Sequence, residues 1–254
     1  MLRVGIDVGG TFTDVAALDS ETGNVLSLKI PSTPREPERG VLAAFDAALD
    51  ACRCDASAVD FLGLSTTIAT NALLGQIGLE LPRIAMVTTR GFRDVIEIGR
   101  QNRSAIYDLF VRRPVPLVAR DDRLTVGERI GAGGEIVEPL DEASLAGVCD
   151  DLRARPGVAA VAVCLLNAYA NGAHERRVAE AVAKALPNAA VVASSDVDPE
   201  YREYERFSTA VVNAALVPIV ARYLDRVSAA LHERGVRVPL YVMHSDGGLA
   251  TAAR

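Results

Sequence analysis

Lysine is almost absent from this sequence of 254 residues, which contains only Lys29 and Lys184 and uses arginine for its other cations. The shortage is informative, because the phosphate loop of a P-loop NTPase needs Gly-Lys-Ser/Thr directly after a strand. Neither lysine lies in that context, so the sequence excludes a P-loop. If this protein binds a nucleotide, it must hold the phosphates in another way.

Cysteine and histidine are also scarce, with four and three residues respectively. The cysteines fit neither a disulfide-rich secreted domain nor the paired C-x-x-C spacing of a zinc site. Cys52 and Cys54 form an isolated C-x-C, and a tetrahedral metal site would need two further ligands. We therefore expect no metal centre built from cysteine or histidine, and a cytoplasmic location.

The sequence also lacks a basic patch and a long apolar run, and we expect no leader. Its net charge is −6, and acidic and basic residues are spread along the chain, which is not the pattern of a nucleic-acid-binding protein. Apolar stretches such as Val158–Leu166 are too short to span a bilayer. The first residues enter an apolar segment directly, unlike a signal peptide. We expect neither nucleic acid nor a membrane as a partner.

The pattern that is present predicts an α/β protein with a mixed sheet. Leu2–Val8, Phe12–Asp19 and Val25–Ile30 are apolar segments joined by turn residues, and we expect them to form an antiparallel run at the heart of one sheet. Helical and strand patterns then alternate, with an irregular stretch near residues 99–140. Ala159–Leu165 predicts a parallel strand buried on both faces.

A long helix is predicted from Pro199, with Asp198 as its N-cap. Its apolar residues recur at helical spacing, and we expect its charged residues, such as Arg206, to form pairs on the helix surface. His174 and His232 lie among charged residues of helical segments and are expected to face the solvent.

The first turn of the chain concentrates polar residues. Asp7 lies in an otherwise apolar strand, where an unpaired carboxylate is costly unless it meets a cation or hydrogen-bond donors. Gly9 and Gly10 allow close approach to the backbone, so consecutive N–H groups can bind an anion. Thr11 and Thr13 add hydroxyl donors on one face of the next strand. A polar turn without function explains the same residues, but the combination favours a phosphate site with Asp7 near its metal ion or water.

The sequence VGIDVGGTFTD resembles the first phosphate loop of the actin/hexokinase/acetate-kinase ATPase superfamily, and more closely the start of the hydantoinase A/5-oxoprolinase family. The resemblance continues through TTIATNALLGQIG, TTRGFRDVIEIGRQNR, YDLFVRRPVPLVAR, DPEYREYERFSTAVVNAALVP and MHSDGGLAT. These segments occur in that order over nearly the whole chain, which makes the resemblance specific.

The resemblance implies an actin-like, ribonuclease H-like ATPase lobe with a second α/β region. It implies ATP-dependent activation of a carbonyl or enolate oxygen in cyclic amides such as hydantoins and 5-oxoproline, or in ketones, with a hydantoinase B-type subunit as partner. By position, Gly9, Gly10, Thr11 and Thr13 would bind ATP. Asp7 would be the catalytic residue and would hold Mg²⁺ through a water molecule.

Two other interpretations stay open at this point: a sugar or carboxylate kinase of the same superfamily, and a nucleotide-binding actin-like protein without catalysis. Kinases share the first loop but not the segment REYERFSTAVVNA, which favours the hydantoinase-type enzyme.

Two further polar groups are candidates for contact with substrate or phosphate. One group opens a predicted helix, where helix capping explains it somewhat better than ligand contact; it consists of Thr66, Thr67, Thr70 and Asn71. The other follows a predicted strand, where α/β proteins place ligands; it consists of Ser245, Asp246, Gly247 and Gly248. We expect Asp7 and Thr11 to face a cleft shared with this second group.

A further polar segment could also face a cleft, although a solvated surface explains it better; it contains Arg93, Asp94, Arg100 and Arg103.

The resemblance divides the chain into a hydantoinase/oxoprolinase N-terminal region over residues 1–195 and the beginning of the hydantoinase A domain over residues 196–254. Members of the family are far longer and carry the second phosphate loop and the adenosine-binding segment in a later lobe. We therefore expect an N-terminal fragment that is inactive by itself.

Overall fold

A computed structural model of the chain describes residues 1–102, 105–111 and 114–252. They form two compact units, one of residues 1–81 together with the segment from Ile219 onward, and one of residues 82–218. The division at residue 195 concerns the family segments and stays a prediction.

The elements are named in chain order. The strands are β1 (Leu2–Val8), β2 (Phe12–Asp19), β3 (Val25–Pro31), β4 (Val59–Thr66), β5 (Arg83–Thr89), β6 (Arg123–Val126), β7 (Arg129–Ile130), β8 (Ile136–Glu138), β9 (Val158–Cys164), β10 (Ala190–Ala193), β11 (Leu240–Met243) and β12 (Leu249–Thr251). The α-helices are α1 (Pro37–Cys52), α2 (Ile68–Leu73), α3 (Val95–Ile98), α4 (Glu142–Arg153), α5 (Ala173–Ala185), α6 (Ser194–Val197) and α7 (Glu203–Glu233).

The first unit contains a mixed sheet of six strands in the order β12-β11-β4-β1-β2-β3. The antiparallel run of β1, β2 and β3 is confirmed, but its expected place at the heart of the sheet is wrong, because β3 forms an edge. On β1 alternate residues are buried, as expected of a strand with one covered face. Helix α1 begins with a proline in its first turn and buries Val41, Ala44 and Phe45; it packs on β1, β2 and β3.

The second unit contains a parallel sheet of four strands in the order β10-β9-β5-β6. The last five residues of β9 are buried, which confirms the predicted parallel strand. Helices α4 and α5 pack on this sheet through an apolar core that includes Leu145, Leu152, Val178 and Val182. Together the two sheets and the long α7 confirm the predicted fold class.

The long helix begins later than the sequence predicted. It starts at Glu203, and the short α6 ends at Val197, so Pro199 is not its first residue. Arg202 has a φ of 82°, in the left-handed region that no α-helix uses, which separates the two helices. By length and composition alone α7 is long and apolar enough to cross a bilayer, and about a third of its most apolar stretch is buried. The core helix of a soluble protein can have the same length and composition.

Candidate functional site

The Gly9-Gly10 turn lies at the edge of the first sheet where three parallel strands end. Strand β4 pairs in parallel with both β1 and β11, and Leu64 is the register partner of Ile6 on one side and of Val242 on the other. The turns that follow β1 and β11 and the start of α2 after β4 therefore belong to the same edge. A cleft shared by Asp7, Thr11 and the Ser245–Gly248 turn requires these segments to lie at one end of the sheet, as they do; the cleft itself stays a prediction.

The turn leaves two main-chain donors free. The N–H of Gly9 donates to the carbonyl of Phe12 at 3.0 Å, and a Cβ on Gly9 would lie 2.9 Å from that oxygen, so only glycine fits. In the part of the chain that the structure describes, the N–H groups of Gly10 and Thr11 have no protein acceptor, and both residues are exposed. Unpaired, adjacent N–H groups at an exposed turn are the donors that an anion needs.

Thr13 lies behind this turn. It is fully buried, on the same face of the sheet as Val15, and its hydroxyl is 2.9 Å from the hydroxyl of Ser32. A contact between Thr13 and phosphate, expected from the sequence, stays a prediction, and the position of its hydroxyl favours a supporting role.

Asp7 is exposed, because its side chain is on the uncovered face of β1, opposite to Val8. The interpretation that it would be a costly buried carboxylate is therefore wrong. Asp14 is its direct register partner on β2, and Asp14 pairs with Lys29 at 3.1 Å. Among the described residues Asp7 has no ion pair, so of these two adjacent carboxylates it is the one free to bind a cation or its water.

The polar residues at the start of α2 form hydrogen bonds mostly with one another and with β1. The hydroxyl of Thr66 accepts the N–H of Ile68 at 3.2 Å. Thr67 reaches the carbonyl of Val8 with both its N–H and its hydroxyl, at 3.4 and 3.5 Å, and Asn71 donates to the Thr67 hydroxyl at 3.3 Å. Only the Thr66 bond among these satisfies a main-chain N–H of α2 itself, since the side chain of Thr67, the N-cap residue, makes no capping bond; the capping interpretation is therefore supported only in part. One depression of the surface is nevertheless lined by both segments, through Gly9, Gly10, Ser32, Thr66 and Asn71. Ligand contact by the group at the start of α2 stays a prediction; the group consists of Thr66, Thr67, Thr70 and Asn71.

The turn between β11 and β12 is also held by its own residues. The carboxylate of Asp246 accepts the N–H of Gly248 at 2.8 Å, and Gly247 adopts a φ of 86° that favours glycine. All four residues from Ser245 to Gly248 are exposed. The turn therefore presents polar groups at the edge of the sheet, and its contact with substrate stays a prediction.

The arginine-rich segment of the second unit forms surface pairs. The carboxylate of Asp94 accepts two hydrogen bonds from Arg120, at 2.9 and 3.0 Å, which lower the pKa of Asp94. Arg100 pairs with Glu205 on α7. Arg103 lies outside the described residues. This arrangement supports the surface interpretation of the segment.

A buried network in the second unit was missed by sequence reasoning. Arg206 is fully buried, so its expected place on the helix surface is wrong; it donates to the hydroxyl of Ser194 and to the carbonyls of Leu165 and Glu200. The carboxylate of Glu175 accepts the N–H of Leu165 and the hydroxyl of Ser194. The network fixes the carboxyl ends of β9 and β10.

His174 is also buried, at 8% exposure, so the expectation that it faces solvent is wrong. It packs against Glu128, which is 2% exposed. No local signal in the sequence marks either residue as buried. Within the described ranges, no group of three or more histidine, cysteine or acidic side chains is arranged to hold a metal ion.

Comparisons with known proteins show the family and agree with the fold. The family model described as hydantoinase/oxoprolinase N-terminal region matches residues 3–186, and the model described as hydantoinase/oxoprolinase matches residues 206–254. The chain is 41% identical over 248 residues to an uncharacterized protein of Methanocaldococcus jannaschii, covering 98% of this chain and 36% of that protein.

Two characterised proteins are also similar. The alpha subunit of caprolactamase from Pseudomonas jessenii is 37% identical over 254 residues, covering 98% of this chain and 36% of the subunit; the crystal structure of this ATP-dependent caprolactamase superposes with a TM-score of 0.82. A nucleotide-free structure of acetone carboxylase, which carries out ATP-dependent acetone carboxylation, superposes with a TM-score of 0.85 at 26% identity, covering 100% of this chain and 37% of that one. The chain thus spans little more than a third of the length of these relatives.

Proposed function

Because the chain belongs to the hydantoinase/oxoprolinase family, we propose that it forms the phosphate-binding lobe of an enzyme that uses ATP to activate the carbonyl oxygen of a small cyclic amide or ketone. The observation that carries this proposal is the Gly9-Gly10 turn, with the free N–H groups of Gly10 and Thr11 at the edge where three parallel strands end. The caprolactamase and acetone carboxylase relatives are both ATP-dependent.

The residues at this edge suit a magnesium nucleotide. Gly10 and Thr11 would donate their N–H groups to phosphate oxygens. Both residues are exposed, and the space beside Gly10 is open, since a Cβ there would meet nothing within 4 Å. Asp7 would hold Mg²⁺ through a water, because its carboxylate is exposed and unpaired among the described residues. When bound, ATP would supply the phosphoryl group that activates a carbonyl or enolate oxygen, so that a poor electrophile or nucleophile becomes a good one.

The finer assignments are parts of the same proposal. Candidate contacts to substrate are the α2 start, Thr66 to Asn71, and the Ser245–Gly248 turn, because both lie at the edge that carries Gly10. A hydantoinase B-type subunit is the proposed partner, which is consistent with a relative that is itself an alpha subunit. A cytoplasmic location is proposed as well.

Purification of the product of the complete reading frame, with and without a B-type subunit, tests the proposal. We expect ATP-dependent phosphate release that requires one member of a panel containing 5-oxoproline, hydantoin, caprolactam and acetone with bicarbonate. Stable phosphorylation of a sugar or carboxylate would identify a kinase instead. ATP binding without turnover on any compound, in the presence of the partner, would favour a non-catalytic nucleotide-binding protein.

A further inference from the structure

Ser32 is the first residue after β3, and it lies beneath the Gly9-Gly10 turn. Its N–H donates to the carbonyl of Thr11 at 2.9 Å, and its hydroxyl donates to the carbonyl of Gly9 at 2.8 Å. One residue thus ties down two carbonyls on either side of Gly10. We propose that Ser32 is the positioning residue that holds this turn in its anion-binding shape; the inference rests on the function proposed above.

The direction of each hydrogen bond in this cluster is fixed by its chemistry. A serine hydroxyl has one hydrogen, and Ser32 uses it on the carbonyl of Gly9, which can only accept. Thr13 must therefore be the donor in its 2.9 Å bond with the Ser32 hydroxyl. Thr13 is itself confined, since a Cβ on Gly40 of α1 would lie 3.2 Å from its hydroxyl oxygen. Thr13, in the packed core, therefore donates to Ser32, and Ser32 donates to the Gly9 carbonyl of the turn.

This chain of hydrogen bonds determines where the N–H of Gly10 points. The carbonyl of Gly9 and the N–H of Gly10 belong to one peptide plane, and in a trans peptide the two groups point in opposite directions. No described peptide bond in the chain is cis. Because Ser32 holds the carbonyl of Gly9 inward, the N–H of Gly10 points outward to the solvent. Without that bond the peptide is free to rotate and to present a carbonyl oxygen, which repels phosphate.

A second anchor holds the other end of the turn. Thr67 contacts the carbonyl of Val8, the residue before Gly9, with its N–H at 3.4 Å and its hydroxyl at 3.5 Å. These bonds are longer than those of Ser32, and they act on a residue that the sheet already fixes. Ser32 is therefore the side chain on which the orientation of Gly10 depends.

Ser32→Ala in the product of the complete reading frame tests the inference, with ATP affinity measured by calorimetry. The variant removes one hydroxyl donor and leaves the Thr13 donor without an acceptor, so we expect ATP to bind about 5- to 30-fold more weakly, the effect of one to two hydrogen bonds. Ser32→Thr keeps the hydroxyl and should restore most of the affinity. Ser27→Ala, on the exposed side of the same strand β3, is the matched control and should bind ATP like the parent.

Hydrogen exchange of the ligand-free protein supplies a readout independent of ATP. In Ser32→Ala the peptide containing Gly9 to Phe12 should exchange faster, with the rest of β1 and β2 unchanged. ATP affinity and exchange equal to those of the parent would overturn the role of Ser32 while leaving the proposed function intact. A parent protein that binds no ATP, but whose turn loosens in Ser32→Ala, would instead overturn the proposed function and keep Ser32 as the residue that holds the turn.

Discussion

Nδ1 of His174 donates a 2.9 Å hydrogen bond to Oε2 of Glu128, and both side chains are buried in the second unit. The other oxygen of this carboxylate accepts the hydroxyl of Thr89, which in turn accepts the N–H of Leu166. Thr89 ends β5, Glu128 follows β6 and Leu166 follows β9. The Glu128–His174 pair therefore joins the carboxyl ends of three adjacent parallel strands.

His174→Ala should destabilise the protein, because it leaves a buried carboxylate with one hydrogen bond fewer. We expect a loss of about 2–4 kcal/mol in the free energy of unfolding, measured by urea denaturation. The matched control is His232→Ala, since His232 is exposed; its effect should be within about 0.5 kcal/mol. Equal effects of the two substitutions would show that the buried pair contributes nothing specific.

Arg206→Lys should be equally costly despite keeping the charge. The guanidinium bonds to the Ser194 hydroxyl and the Leu165 and Glu200 carbonyls at 2.8–3.1 Å, and a lysine ammonium cannot reproduce that planar fork. We expect a loss of about 2–4 kcal/mol, again by urea denaturation. Arg222→Lys, at an exposed position of the same helix, should be nearly neutral. A neutral Arg206→Lys would mean that the buried bonds are replaceable.

These residues mark the limit of what the sequence reveals. The strands around the Gly9-Gly10 turn were predictable because alternation and turn residues are local signals, and parallel pairing then placed β11 at the same edge. The burial of Arg206 was not predictable, because its partner Leu165 is 41 positions away. The spacing of residues within a helix carries no information about contacts so distant in sequence. The same holds for the exposure of Asp7: whether a sheet face is covered depends on elements distant in sequence.

Tyr223 supplies a prediction about pH. Burial raises its pKa to about 12, partly opposed by the hydroxyl of Thr66, and among the described residues its own hydroxyl has no hydrogen bond of good geometry. The unfolded pKa is about 10, so the folded state favours the protonated phenol. Its stabilisation is complete below pH 10 and is lost as the pH rises through about 12.

Tyr223→Phe removes this titration. We expect the variant to be about as stable as the parent at pH 7, because no hydrogen bond of good geometry is lost, and to lose less stability between pH 10 and 12. Urea denaturation at several pH values, together with the absorbance of ionised tyrosine at high pH, measures both effects. Strong destabilisation of the variant at pH 7 would mean that the Tyr223 hydroxyl forms a hydrogen bond that stabilises the folded protein.

Asp7→Asn tests the proposed magnesium contact. An amide binds the waters of Mg²⁺ less well than a carboxylate, so ATP turnover by the product of the complete reading frame should fall by about 10- to 100-fold or more, as for other outer ligands of a metal. Because Asp7 is exposed and without an ion pair in the described residues, the stability should change by less than about 0.5 kcal/mol. Asp50→Asn, at an exposed position of α1, should leave both quantities unchanged. Normal turnover in Asp7→Asn would remove this residue from the site.

The 254-residue chain alone should bind ATP only weakly. It spans 36% of the caprolactamase alpha subunit, and the turn offers two free N–H groups, Gly10 and Thr11, to a triphosphate. Charge-assisted hydrogen bonds contribute about 1.5–3 kcal/mol each, whereas association itself costs at least about 4 kcal/mol. Two such bonds supply at most about 6 kcal/mol, so even with Mg²⁺ at Asp7 we expect a dissociation constant in the millimolar range or weaker, at best near −4 kcal/mol. Turnover should be undetectable, since phosphoryl transfer needs charge stabilisation on all sides of the phosphate.

Calorimetry of the chain beside the product of the complete reading frame measures the difference in ATP affinity. Micromolar binding by the chain alone would show that its own residues contain a more complete nucleotide site than the Gly9-Gly10 turn.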